Sequence, residues 1–182
     1  IMKMTAQIAP MGKMNKEKVY LELLKKGKWK KVQSSGIHEY ASTAHFRIEN
    51  WDDKQEIPYR VVFRDGDSIG EWKGTIRKDP KGKNTIKLAA MSCMKDGAFP
   101  NHYLQQNVIA QDPDILFFAG DQLYEGNGGF GIVRAKKLAD VPRASLNYLQ
   151  KYWIFGWSFR DVMKDRPSVV IPDDHDVYHG NI

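Results

Sequence analysis

The chain lacks several features that would assign it to a class of protein. It has one cysteine among 182 residues, which excludes an intramolecular disulfide. No apolar run approaches the roughly 18 residues that a membrane-spanning helix needs, and no secretory signal is visible in residues 1–14. The glycine-rich residues 126–131 are not followed by Lys-Ser or Lys-Thr, so they do not match the phosphate loop of nucleotide-binding proteins. No internal repeat is present.

The composition is that of an ordinary globular protein with an excess of basic residues. Hydrophobic residues make up 42% and charged residues 27% of the chain, and 28 Lys and Arg against 22 Asp and Glu give a net charge of +6. Lysines cluster between Lys13 and Lys31, which is compatible with an anionic partner. Aromatic residues are sparse among them, so a solvated surface is favoured and we find no clear nucleic-acid-binding motif.

Polarity patterns divide the chain into three segments. Residues 1–18 show no clear periodicity and are interpreted as a lead or linker. Residues 19–84 contain short runs of alternating polarity separated by turn residues, which favours a small all-β sandwich domain. The strands of this domain are predicted at 19–24, 29–32, 43–48, 59–63 and 68–76, and the turn-forming residues 79–84 are predicted to be a linker.

Residues 85–182 alternate between strand and helix patterns, which predicts an α/β domain. The continuously apolar run 115–119 indicates a strand that is buried on both faces of a parallel sheet. The other predicted elements are strands at 85–91 and 168–173 and helices at 103–110, 132–139 and 144–164.

Acidic residues follow two of these strands. Gly120 and Asp121 come directly after the run 115–119, and Asp-Asp-His-Asp occupies residues 173–176 after the β-branched run 168–171. Ligands bind at the carboxyl ends of the strands in an open α/β sheet, and carboxylates are hard oxygen ligands for metal ions. The two strand ends together predict a metal centre.

These residues resemble a known family. Gly-Asp-Gln-Leu-Tyr-Glu at 120–125 and Asp-Asp-His-Asp at 173–176, together with Ser92-Cys93, resemble the motifs of the alkaline phosphatase D (PhoD-like) family of calcineurin-like metallophosphoesterases. The resemblance implies an α/β metallophosphoesterase-type sandwich, of which residues 85–182 would be the N-terminal half. It also implies a preceding immunoglobulin- or fibronectin-like sandwich. The superfamily's later histidine and aspartate motifs do not occur here, so we expect a C-terminal half to complete the catalytic domain.

The resemblance also implies a role for each matching residue. Asp121 matches the aspartate that bridges two metal ions, and Cys93 and Tyr124 match the thiolate and phenolate ligands of a ferric ion. Asp174 matches a ligand of the second metal, and His175 matches the histidine that assists the leaving group or binds phosphate. The implied cofactor is a two-metal centre of Fe³⁺ and Ca²⁺, with other divalent metals as alternatives.

The resulting hypothesis is metal-dependent hydrolysis of phosphate esters, as in phosphatases and phosphodiesterases, by a metal-activated water. The substrate would be a small or polymeric phosphate ester, and the location, by resemblance, periplasmic or extracellular. One alternative is a different metal hydrolase with the same ligands. Another is a non-catalytic module that binds phosphate or polysaccharide through a degenerate metallophosphoesterase domain.

Each candidate residue also has a simpler interpretation. Asp121 fits a turn or helix cap, Tyr124 a core tyrosine, Cys93 a small buried apolar residue, and residues 173–176 a solvated acidic turn. Asp176 is expected to orient His175 or its loop.

Overall fold

The computed structural model describes residues 1–10, 17–95 and 98–178, so part of the predicted lysine cluster, including Lys13, lies outside the described residues. The chain divides into two compact units, Ile1–Asp79 and Pro80–Ile182. The division falls at the start of the turn-rich segment that was predicted to be a linker. Each unit has its own core cluster.

Outside residues 11–16, the first unit contains six antiparallel strands in two sheets. The smaller sheet pairs β1 (Met2–Gln7) with β4 (Thr43–Ile48). The larger sheet has the order β3-β2-β5-β6, and its strands are β2 (Lys18–Lys25), β3 (Lys28–Gly36), β5 (Ile57–Asp65) and β6 (Ser68–Ile76). The all-β character of this region is therefore confirmed, while its immunoglobulin- or fibronectin-like assignment stays a prediction.

Alternation of buried and exposed residues explains how these two sheets share a core. On β2, Val19, Leu21 and Leu23 are buried, because successive side chains of a strand point to opposite faces. Side chains from the smaller sheet, including Met2 and Phe46, belong to the same cluster. β1 occupies residues for which the sequence predicted a lead or linker. Its weak strand formers Met and Ala pair with β4, a partner about 40 residues away that local patterns do not reveal.

In the second unit, the described residues form a three-stranded parallel sheet with two crossover helices. Its strands lie in the order β7-β8-β9. They are β7 (Leu88–Met91), β8 (Ile115–Ala119) and β9 (Ser168–Ile171). The helix α1 (His102–Gln111) lies between β7 and β8 in the chain, and α2 (Val141–Met163) lies between β8 and β9. The predicted parallel α/β layout is confirmed.

The core of this unit forms between β8 and the helix α2. Phe118 packs edge-on against Phe155 and Phe159, with ring centroids 5.0 and 5.3 Å apart. Leu116 and Phe118 are fully buried, whereas Ile115, Phe117 and Ala119 are only partly buried. β8 is thus buried on one face among the described residues, and the prediction of two buried faces is wrong for this chain.

The helix predicted at 132–139 is also absent. A 3-10 turn at Leu138–Asp140 leads directly into α2. The Asp140 carboxylate accepts the backbone N–H groups of Lys136 and Lys137 at 3.1 and 3.2 Å. A helix over 132–139 would have directed those groups to carbonyls four residues earlier. No helix in the described part of the chain is long and apolar enough to span a membrane.

Candidate metal centre

The loop after β8 begins with a close approach of two strand ends. Gly120 has φ +88°, and a Cβ atom at this position would collide with the Cβ of Asp173 and lie 3.0 Å from its backbone N. Only glycine avoids both the left-handed strain and the collision. Asp121 follows with φ +55°, a conformation that aspartate tolerates better than most residues. The two acidic segments predicted from the sequence therefore meet here.

Asp176 ties these segments together. Its buried carboxylate accepts the N–H groups of Asp121, Gln122 and Leu123 at 2.6, 2.9 and 3.2 Å, and that of Asp173 at 3.0 Å. Burial raises the pKa of Asp176, while the four N–H donors oppose that rise. The expectation that Asp176 orients its loop agrees with these contacts, which extend to the loop after β8.

Two further candidate ligands, Tyr124 and Cys93, contact the Asp121 carboxylate. Its Oδ2 accepts hydrogen bonds from the Tyr124 hydroxyl at 3.1 Å and from the Cys93 thiol at 3.6 Å. The end of β7 is fixed to this loop, because the Cys93 N–H donates to Gly120 O at 3.2 Å and the Met94 N–H to Asp121 O at 3.1 Å. Asp121 Oδ1 is buried and has no hydrogen-bond partner among the described residues.

Asp174 and His175 complete the acidic cluster. Asp121, Asp174 and His175 each offer one ligand atom, and these three atoms lie within 4.8 Å of one another. Asp121 is buried, whereas Asp174 and His175 are half-buried. A cluster that joins a buried carboxylate to two accessible donors is suited to a metal ion that solvent or a ligand reaches from one side.

His175 is held by residues of the loop after β8. Its Nδ1 lies 2.6 Å from Glu125 Oε2, and its ring packs against Tyr124 with centroids 4.4 Å apart and the ring planes tilted by 40°. The hydrogen bond to Glu125 raises the pKa of His175 and lowers the pKa of Glu125. Burial, reinforced by the hydrogen bond to Asp121, raises the pKa of Tyr124 to about 12.

All five predicted site residues therefore lie in one neighbourhood, although their roles as ligands or catalyst stay predictions. Cys93 and Tyr124 contact the Asp121 carboxylate, and Asp174 and His175 lie beside it. Cys93 is exposed, so its interpretation as a small buried apolar residue is wrong.

Sequence reasoning missed three polar residues near this site. Glu125 was quoted only as the end of a motif, and nothing in its position indicates that it contacts His175. Asn147 and Lys151 on α2 were not singled out, yet both are buried. A signal for them was present, because they precede the buried Phe155 at intervals of four residues, which places them on the apolar face of the helix.

Comparison with solved structures places this architecture beside a phosphatase. The chain is similar to the structure of purple acid phosphatase PPD1 isolated from seeds of yellow lupin (Lupinus luteus), with a TM-score of 0.52 and 12% sequence identity. The match covers 90% of this chain and 31% of the lupin chain, so the chain spans less than a third of that protein. No protein-family model matches the chain, and no curated protein is significantly similar to it. The similarity shows the fold, and the PhoD-like resemblance stays a prediction.

Proposed function

We propose that this chain carries part of a metal-dependent phosphate ester hydrolase. The observation that carries the proposal is the Asp121 carboxylate, whose Oδ1 is buried without a partner among the described residues and which lies in a cluster with Asp174 and His175. Leaving a buried acceptor unpaired costs about 1–3 kcal/mol, and more for a charged group. A cation at this position would offset that cost. The lupin phosphatase, which has the same fold, supports phosphate ester chemistry.

The donor atoms fit metal ions of the proposed kind. Asp121 and Asp174 offer carboxylate oxygens, which suit divalent and trivalent cations. Cys93 and Tyr124 add a thiol and a phenol beside Asp121. A nearby cation favours the phenolate of Tyr124 despite its raised pKa. The Fe³⁺ and Ca²⁺ pair is proposed by resemblance to the PhoD-like family.

The proposed hydrolysis needs contributions from bound metal ions and from His175. Bound metal ions would neutralise phosphoryl oxygens and lower the pKa of a water molecule. The Glu125 carboxylate is hydrogen-bonded to His175 Nδ1. Nε2 is therefore the ring nitrogen that would contact the substrate. The hydrogen bond to Glu125 raises the pKa of His175, and a protonated Nε2 would be suited to donate a proton to the leaving oxygen.

Metal content and hydrolysis test this proposal together. We would extend the protein through the expected C-terminal half of the catalytic domain, measure its iron, calcium, zinc and manganese by elemental analysis, and measure its hydrolysis of an aryl phosphate and a diaryl phosphate. Asp121→Asn and Cys93→Ala are expected to lose bound metal and to lower activity at least about 100-fold. Asp161→Asn is the control, because that side chain is 44% exposed and pairs on the surface with Lys164.

Three outcomes of these measurements would contradict the proposal or favour an alternative. A wild-type protein that includes the expected C-terminal half, holds no metal and hydrolyses neither ester overturns the proposal, whereas residues 1–182 alone are expected to be weakly active or inactive. Metal-free phosphate binding without hydrolysis would favour the non-catalytic binding module. Metal binding with hydrolysis of other substrates would favour a different metal hydrolase. A periplasmic or extracellular location stays a prediction from the resemblance.

A further inference from the structure

The segment from Glu125 to Gly131, here called the glycine loop, is held by two polar side chains of α2. Lys151 Nζ donates hydrogen bonds to the carbonyl oxygens of Glu125 and, at 2.9 Å, of Gly131. Asn147 Oδ1 accepts the Phe130 N–H at 2.9 Å, and Asn147 Nδ2 donates to Gly131 O at 3.0 Å. The two side chains therefore contact both ends of the loop.

Both side chains are buried, so they need hydrogen-bond partners within the protein. Lys151 is 1% exposed and Asn147 is 3% exposed. Burying an ammonium or an amide is unfavourable unless hydrogen bonds replace water, and here the loop supplies those bonds through its backbone. A Cβ atom on Gly129 would lie 2.7 Å from Asn147 Oδ1, so the loop reaches the helix only because this residue has no side chain.

Apolar packing does not replace these polar contacts. Phe130, the aromatic residue of the loop, is 80% exposed. Two internal backbone hydrogen bonds, from Asn127 N–H to Tyr124 O and from Gly131 N–H to Gly128 O, shape the loop, while Asn147 and Lys151 fix it against α2. Removing them would free a segment with four glycines, which have the largest conformational freedom of any residue.

Glu125 connects this arrangement to the candidate metal centre. Lys151 holds its carbonyl oxygen, while its carboxylate lies 2.6 Å from His175 Nδ1. The preceding residue, Tyr124, packs against the His175 ring, and its hydroxyl donates a hydrogen bond to the Asp121 carboxylate. The backbone position of residues 124 and 125 therefore determines how the His175 ring is oriented.

We propose that Lys151 and Asn147 are positioning residues that hold Glu125 against His175. Their hydrogen bonds reach backbone atoms of Glu125, Phe130 and Gly131, so they act on His175 through the backbone of the glycine loop. The consequence for catalysis rests on the proposed function, since His175 must be the proton donor for its orientation to affect the rate. The consequence for the Glu125–His175 hydrogen bond does not depend on any activity.

The test compares Lys151→Met, which keeps the length of the side chain but removes its N–H donors, with Lys164→Met at the end of the same helix. The metal-free protein is labelled with ¹⁵N-histidine, because bound iron would broaden the signals. We expect a hydrogen-bonded His175 Nδ1 proton signal in the wild type and in Lys164→Met. The signal should be lost in Lys151→Met and in the reference variant Glu125→Ala.

Amide exchange and kinetics supply two further readouts. The Phe130 amide should be protected from exchange in the wild type and unprotected in Lys151→Met. In the metal-loaded extended protein, kcat should fall about 10–100-fold while KM for the aryl phosphate stays within about twofold. Asn147→Asp keeps the acceptor for Phe130 and removes the donor to Gly131, so its changes should be smaller and in the same direction.

Each result decides the proposal. A His175 signal that is unchanged in folded Lys151→Met overturns it, as does an unprotected Phe130 amide in the wild type. If Lys151→Met fails to fold, Asn147→Asp and the wild-type exchange rate decide in its place. If the extended wild type neither binds metal nor hydrolyses esters, the proposed function fails, whereas the signals of the metal-free protein still decide the positioning role.

Discussion

The Asp176 carboxylate joins two loops through both of its oxygens. Oδ2 accepts the N–H groups of Asp121 and Asp173, and Oδ1 accepts those of Gln122 and Leu123. An ionised carboxylate suits this position because all four groups are donors. Aspartate is the shortest side chain that offers two equivalent acceptors, which the short distance between the strand ends requires.

Replacing this carboxylate should destabilise the protein. In Asp176→Asn an NH₂ group takes the place of one oxygen and faces two backbone donors. We expect the free energy of unfolding to fall by about 1–3 kcal/mol, measured by urea denaturation. Asp161→Asn, which removes surface ion pairs with Arg160 and Lys164, should change it by less than about 0.5 kcal/mol. Equal stabilities for the two variants would contradict the role assigned to Asp176.

Some residues of the site could be predicted from the sequence and others could not. Asp121, Tyr124 and His175 belong to short motifs that follow recognisable strands. Glu125 and Lys151 are different, because their roles depend on which backbone atoms and rings lie near them after folding. A lysine on the apolar face of a helix indicates a buried role, but its hydrogen-bond acceptors lie 20 and 26 residues away.

At the scale of elements, two glycines should respond to an added methyl group in opposite ways. Gly120, in the turn after β8, has no space for one, whereas Gly156, in the middle of α2, has. Gly120→Ala places a methyl group against Asp173 at φ +88°, and we expect the free energy of unfolding to fall by more than about 1 kcal/mol. Gly156 lies inside α2, where an added Cβ meets no atom within 4 Å. Gly156→Ala should raise that free energy by about 0.5–1 kcal/mol. Thermal and urea unfolding measure both.

An unchanged stability of Gly120→Ala would contradict this prediction. If Gly120→Ala is as stable as the wild type, the ends of β8 and β9 do not approach as closely as described. Its crystal structure or metal content would then show whether the Asp121 loop keeps its position.

Elements with strong local patterns were predicted well. The predicted strands 43–48 and 68–76 coincide with β4 and β6, and the helix 144–164 differs from α2 by three residues at its start and one at its end. The helix 132–139 failed because Asp140 captures backbone N–H groups that the helix would need. β1 was missed because its stability comes from pairing with β4.

At the scale of the whole molecule, the two units have separate hydrophobic clusters. Phe46 belongs to the cluster of the first unit and Phe118 to that of the second. Tryptophans allow the two to be followed separately, because Trp29, Trp51 and Trp72 lie in the first unit and Trp153 and Trp157 in the second.

We expect each phenylalanine to stabilise its own unit. Phe46→Ala and Phe118→Ala should each lower the unfolding free energy of the unit concerned by about 3–5 kcal/mol. Both substitutions are made in a protein whose Trp153 and Trp157 are replaced by Phe. Its tryptophan fluorescence reports only on the first unit. There the transition should shift with Phe46→Ala and not with Phe118→Ala. A common shift in both would show that the chain unfolds as one cooperative unit.

The bond between Asp176 and the Asp121 loop has a consequence for the order of events during synthesis. Asp176 follows Asp121 by 55 residues, a length that a ribosome adds in roughly 3–11 s at about 5–20 residues per second. For that interval the Asp121 loop exists without the carboxylate that fixes its backbone and without Asp174 and His175. Since metal binding and folding are coupled when the ligands come from distant parts of the chain, tight binding of the proposed metal ions would have to wait until β9 has joined the sheet.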